Sequence, residues 1–148
     1  MAELNQYLRI GLWGTDYLLP SAASYSIEQR ENLVANDVPS NNIVAWRQEQ
    51  PQPWPAFYLD ANLRPVVSGD WQRAVFLEAA PYPVGLIADE FQLLARADVH
   101  VEALVPLGPA PSRAGHLFSG VWIHDNKMIL VLYPQGLVGY LQKLGNIQ

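Results

Sequence analysis

Two short apolar runs, Ala74–Leu77 and Val84–Ala88, stand on either side of Pro81-Tyr82-Pro83. That arrangement limits the possible folds more than any other stretch of the chain. Neither run approaches the ~20 apolar residues that a membrane helix needs. Both contain β-branched residues, and the prolines between them break any helix. The segment from Arg73 to Phe91 therefore reads as a β-hairpin with two buried arms. Gly85 removes a side chain inside the second arm, which marks a bulge or a close approach of another strand. Asp89 and Glu90 follow where the apolar run ends. Neighbours on a strand point to opposite faces, whereas acid–base chemistry needs both carboxylates aimed at one substrate. The pair reads as a solvated strand end.

The rest of the chain repeats this rhythm of short runs and turns. From Tyr7 to Gly14 the pattern has period two: Leu8, Ile10 and Leu12 on one side, Tyr7, Arg9, Gly11 and Trp13 on the other. Gly14-Thr15-Asp16 is turn chemistry, and Tyr17-Leu18-Leu19 forms a second arm before Pro20. Ser26 to Leu33 reads as one or two helical turns, capped by Ser24 or Ser26. Asn36 to Asn42 is a loop. Ile43–Trp46 and Ala56–Leu59 are strands, separated by a Gln- and Pro-rich loop from Arg47 to Trp54. Leu63 to Trp71 reads as loop, and Leu93 to Ala103 has no clean period. Leu117–Ile123 and Met128–Tyr133 flank the turn His124-Asp125-Asn126-Lys127, where asparagine tolerates a positive φ. Gly120 precedes apolar strand residues and, like Gly85, is expected to be structural. Leu137, Tyr140, Leu141 and Leu144 recur at helical spacing near the end. No internal repeat is visible. The proline-rich stretch near residues 106–115 is the best internal boundary. Many short strands with regular turn signals and little helix spell an all-β barrel or pair of barrels.

Composition narrows the function. Half the residues are hydrophobic, ample for a core, and only 16% are charged, against roughly 25% in a typical soluble domain. A surface so short of charge favours a protein that keeps a partner on part of it. The net charge is −5 and the nine basic residues are scattered, so a phosphate backbone would find no basic stripe. With no cysteine, thiol catalysis, disulfides and thiolate metal sites are excluded. His100, His116 and His124 share no metal-binding spacing, no Gly-x-Ser-x-Gly elbow is present, and Gly11-x-x-Gly14 opens no helix that would cradle phosphate. The expectation is a cytoplasmic protein without catalytic residues, metal or cofactor, not inserted in a membrane and not bound to nucleic acid.

Three stretches, taken in order, resemble the CheW-like domains of chemotaxis adaptors. Leu8 to Pro20 is similar to their opening hairpin. Val84-Gly-Leu-Ile-Ala-Asp-Glu90 is similar to their Val-Gly-apolar-apolar-x-Asp-Glu segment. Phe118 to Leu132 is similar to their closing hairpin. The resemblance implies one domain over residues 1–148, built of two intertwined five-stranded SH3-like β-barrels sharing a core. It also implies a non-catalytic adaptor that couples a chemoreceptor-like protein to a histidine kinase, or serves a related motility or pilus system. The family pattern changes at informative places. Ala45-Trp46-Arg47 stands where the family has Asn-Leu-Arg-Gly, so Arg47 takes the place of the motif arginine and the glycine is absent. Tyr58 and Tyr133 stand where aspartates are usual. These positions lie close to the family's partner-binding surfaces.

Arg47, Trp46, Trp54 and Tyr58 are the candidate partner-binding residues. Trp46 and Trp54 bracket a polar loop, and Trp and Arg are enriched among binding hot spots. The alternative is that both tryptophans only tuck the loop onto the barrel. Trp13 and Trp122, on regular strands, are expected in or beside the core. Two other functions stay open at this stage: a diverged module with a different protein partner, and a β-barrel that binds a small ligand. A ligand pocket needs convergent polar groups, and Val84–Ala88 and Met128–Leu132 supply almost none.

Overall fold

A computed structural model describes residues 6–20, 25–37, 41–104 and 117–147. Ser24, His116 and the proline-rich stretch of residues 106–115 lie outside the described residues. Among the described residues, thirteen strands and one α-helix follow one another. They are β1 (Gln6–Leu12), β2 (Thr15–Pro20), β3 (Tyr25–Gln29), β4 (Val34–Ala35), β5 (Ile43–Arg47), β6 (Trp54–Leu59), β7 (Pro65–Val66) and β8 (Arg73–Leu77). Then come β9 (Val84–Ala88), β10 (Glu90–Ala95), β11 (Val101–Ala103), β12 (Phe118–His124), β13 (Lys127–Leu132) and helix α1 (Pro134–Leu144). No helix among the described residues is long and apolar enough to cross a membrane.

The strands form two curled sheets, each a half-barrel. Sheet one has the order β10-β1-β2-β13-β12-β11, and sheet two the order β3-β8-β9-β6-β5-β4, with β7 paired to β6. Read from their first edges, both sheets repeat one pattern of pairing: antiparallel, antiparallel, parallel, antiparallel, antiparallel. The register slips at the same place in each, between Ile43 and Ala45 on β5 and between Phe118 and Gly120 on β12. A 3₁₀ turn joins β3 to β4 (Arg30–Asn32), and another joins β10 to β11 (Arg96–Asp98). The chain is thus two copies of one unit, a hairpin followed by strand, turn and three strands. The hairpins are exchanged: β1–β2 completes the sheet of β10–β13, and β8–β9 completes the sheet of β3–β6. No repeat shows in the sequence, because the matched positions carry different side chains.

Burial follows from this exchange. Leu8, Ile10, Leu12, Tyr17 and Leu19 of sheet one meet Phe57, Leu59, Val75, Leu77, Val84 and Leu86 of sheet two in one shared core, closed by Leu132, Leu137 and Leu141. The opposite faces line a smaller core inside each barrel. Ala45, Ala56, Tyr58, Trp71, Ala74, Phe76 and Ile87 fill one, and Leu18, Val99, Trp122, Ile129 and Val131 the other. The apolar spacing read at the C-terminal end is that of α1, which starts at Pro134 and buries Leu137 and Leu141.

Several expectations need correction. Ser26–Leu33 is not helical: β3 runs to Gln29 and pairs with β8 as Ile27↔Val75 and Glu28↔Ala74, leaving a single 3₁₀ turn. Its polar residues are the solvent side of an edge strand, which helical spacing mimics over so few positions. The loop from Leu63 to Trp71 holds the short β7, and Leu93–Ala103 holds the end of β10, a turn and β11. The first turn falls one residue early, at Trp13 and Gly14, both with positive φ. Asp125 and Asn126 also have positive φ, as a tight hairpin turn requires.

A Cβ added at Gly85 would sit 2.7–3.0 Å from the Phe76 ring, and one at Gly120 would sit 2.6 Å from Val101 Cγ1 and 2.8 Å from the Glu102 carbonyl oxygen. Gly85→Val and Gly120→Val are each expected to lose about 1–3 kcal/mol by overpacking. Urea unfolding midpoints would check this, and unchanged midpoints would mean that the strands can part to admit a side chain.

Candidate functional site

The loop between β5 and β6 rests on Arg47. The arginine Nε lies 3.1 Å from a Glu49 carboxylate oxygen and Nη2 lies 3.7 Å from one of Glu28. Nη1 donates to Ser26 Oγ at 2.9 Å. Its guanidinium also lies over the rings of Trp54, at 5.0 Å, and Phe76, at 5.6 Å. Arg47 and Trp54 are cross-strand partners at the mouth of the hairpin, so the stack fixes where the strands part. Above it Gln48, Gln50, Pro51 and Gln52 are exposed. Trp46 leaves β5 on the other face and packs, half-buried, against the shared core, while Trp54 packs against the core of the second barrel. Both tryptophans therefore support the loop from below while keeping part of their surface open.

The matched place in sheet one holds the same contact with roles reversed. Trp122 on β12 corresponds to Arg47 on β5, and Arg9 on β1 to Phe76 on β8. Arg9 lies over the Trp122 ring at 5.9 Å and pairs with Asp16 at 2.6 Å. An arginine–aromatic stack thus closes each barrel at this point.

Tyr58, the fourth candidate, presents no free surface: it is 2% exposed. Its hydroxyl donates to Asp89 Oδ1 at 2.6 Å, while Asp89 Oδ2 accepts the Trp13 backbone N–H at 2.7 Å. The Asp89 N–H donates to the Gly11 carbonyl at 2.8 Å. Asp89 is the only residue between β9 of one sheet and β10 of the other. Its three hydrogen bonds therefore tie the first hairpin, β6 and the crossover into one joint. The sequence showed a solvated strand end here; the carboxylate is indeed exposed, but both its oxygens are engaged. The Tyr58 ring lies 6.0 Å from the Trp13 ring. Gly69 also approaches it so closely that a Cβ there would sit 2.5 Å from the ring. Tyr133 holds the matched place in sheet one and is exposed.

A second tie runs through the loop after β6. Tyr17 Oη donates to the Ala61 carbonyl at 2.6 Å, and Tyr140 Oη from α1 donates to the Leu63 carbonyl at 2.5 Å. Asp60 Oδ1 accepts the N–H groups of Asn62 and Arg64 and shapes the turn. Leu63, at φ +62, is buried in the shared core.

Among the described residues no three His, Cys, Asp or Glu side chains converge to hold a metal. His100 pairs with Glu102, and His124 pairs with Asp125 and stacks on Trp122 at 4.4 Å.

All three bonded tyrosines resist ionisation. Burial raises the Tyr58 phenol far above the usual value near 10, with Asp89 and then Asp70 adding to it and the Trp13 indole N–H opposing it. Burial, then the Asp60 charge, raises Tyr17 and Tyr140. A phenol held neutral by the fold gives stability that is complete below pH 10 and is lost as pH rises beyond it. The unfolding temperature should be level up to about pH 10 and fall above it, with part of the phenolate absorbance appearing only on unfolding. Tyr58→Phe should make that fall shallower. A fall of the same steepness in Tyr58→Phe would remove Tyr58 from the account.

No family model matches the chain, and no curated protein matches it in sequence. Among solved structures, it is similar to the crystal structure of the scaffolding protein TtCheW from Thermoanaerobacter tengcongensis. The TM-score is 0.57 at 13% identity, over 87% of this chain and 84% of that one. At that identity the likeness is one of fold.

Proposed function

We propose that the protein is a non-catalytic signalling adaptor, a single domain of two barrels that binds other proteins. The partners that fit this reading are a histidine kinase and a chemoreceptor-like protein. The observation that carries it is the extent of the fold likeness to a scaffolding protein, which runs over most of both chains. The resemblance in the opening hairpin, the Val84–Glu90 segment and the closing hairpin points the same way. Those three stretches are β1–β2, β9 with its crossover, and β12–β13, the parts that weave the barrels together.

The partner surface in this reading is the β5–β6 loop with Trp46, Arg47 and Trp54. Arg47 acts there as the base that holds the loop in shape, and the indoles supply rigid contact area beside it. Tyr58 acts from inside, by fixing the joint.

Purified kinase regulatory domain and receptor signalling fragment from the same organism provide the test, by pull-down and titration. Arg47→Ala and Trp54→Ala should each weaken binding roughly thirtyfold, the equivalent of about 2 kcal/mol for a central contact. The unfolding temperature of Arg47→Ala should stay near that of the parent, since the ion pairs of Arg47 are partly exposed and such pairs add little stability. Trp54→Ala also gives up packing against Phe76 and should unfold at a lower temperature, so its binding is read where it is still folded. If neither fragment binds the parent, the adaptor reading fails. If both variants bind like the parent, the interface lies away from this loop.

A further inference from the structure

Several aromatic rings among the described residues, some buried and some partly open, carry an arginine of the chain itself. Arg30 lies over Trp71 at 4.6 Å, Arg47 over Trp54, Arg9 over Trp122, and Arg73 over Phe91 at 5.5 Å. Of the five tryptophans, three thus carry an arginine of the chain itself, and Trp46 packs on the shared core. Trp13 does neither. It is 52% exposed, and among the described residues its only ring neighbour is Tyr58, tilted at 37°.

Trp13 is also fixed in place. Its backbone N–H is held by Asp89, in a turn with φ +52, a conformation that tryptophan rarely adopts. The Asp89 carboxylate, bonded only to neutral donors, has no ion-pair partner among the described residues. An open indole face beside such a carboxylate complements a planar cation, and a guanidinium stacks on such a face better than an ammonium.

We propose that Trp13 is a docking point for an arginine side chain of a protein partner, whose guanidinium stacks on the exposed indole beside the carboxylate of Asp89. The contact repeats between molecules what the chain does within itself at Trp54, Trp71 and Trp122. It deepens the adaptor reading and rests on it, but it is a different surface from the β5–β6 loop.

The test uses short acetylated, amidated Gly-Arg-Gly-Arg-Gly peptide, with lysine and citrulline counterparts, titrated into ¹⁵N-labelled protein. The Trp13 indole N–H resonance is assigned by its absence in Trp13→Asn. Asparagine tolerates left-handed turns, so that variant should keep or raise the unfolding temperature. The Trp13 resonance should move with the arginine peptide, move less with lysine and stay still with citrulline. Trp13→Asn should weaken the arginine peptide about tenfold or more. The proposal is overturned by a still Trp13 resonance at millimolar arginine peptide, by equal movement with citrulline, or by unchanged affinity in Trp13→Asn. None of those outcomes touches kinase or receptor binding through the β5–β6 loop, which the pull-down reads separately.

Discussion

β6, β8 and β9 lie side by side in sheet two with no solvent face, and the architecture depends on this wall. Its residues alternate between two cores. Phe57, Leu59, Val75, Leu77, Val84, Leu86 and Ala88 point to the core shared by the sheets, and Ala56, Tyr58, Ala74, Phe76 and Ile87 to the smaller core of their own barrel. The shared side is built of large residues. The inner side mixes alanines with Trp71, Phe76 and Tyr58, because a tightly curled sheet leaves room for few large rings. Gly85 belongs to this economy of space, since the Phe76 ring occupies the volume its side chain would take. A wall apolar on both faces admits almost no charge, which is one reason for the low charged fraction of the whole chain.

Such cores hold the barrels together but orient them weakly, since apolar contact is non-directional. Direction comes from three tyrosines, Tyr17 and Tyr58 buried and Tyr140 half-buried. A buried hydroxyl must find an acceptor, and each of these finds it on another element: Tyr58 on the crossover residue Asp89, Tyr17 and Tyr140 on the loop after β6. Each acceptor lies far in sequence from its donor, so these bonds tie separate elements to one another. The β5–β6 loop and the Trp13 turn are thereby held in a fixed relation to each other.

The strands were legible in the sequence wherever an apolar run ended in a turn signal. The central hairpin from Ala74 to Ala88, the opening alternation around Leu8–Leu12 and the turn at Asp125-Asn126 all carry local physics that survives in the fold. β3 was not legible, because Ile27 is its one large apolar residue in a polar run and its partner β8 is what makes it a strand. The duplication was invisible for a sharper reason. Pairing constrains backbone and volume, not identity, so Arg47 on an aromatic in one barrel can answer an aromatic under Arg9 in the other. Asp89 gave no signal either: a carboxylate at a strand end looks the same whether it meets water or a tyrosine 31 residues away. Trp13 was expected in or beside the core from its place on a regular strand, yet it occupies the turn itself and is half open to solvent.

The exchanged hairpins also govern the order in which the fold is completed. β2 lies parallel to β13, with Tyr17 beside Leu130 and Leu18 beside Val131. β13 is the last strand among the described residues, so the β1–β2 hairpin waits for it before its sheet is whole. Until then Leu8, Ile10 and Leu12 have only β8–β9 and their neighbours to lean on. Contacts of such long sequence separation slow folding and prolong the exposure of apolar strands. In this protein the weave that makes two barrels inseparable leaves its first hairpin unfinished for longest.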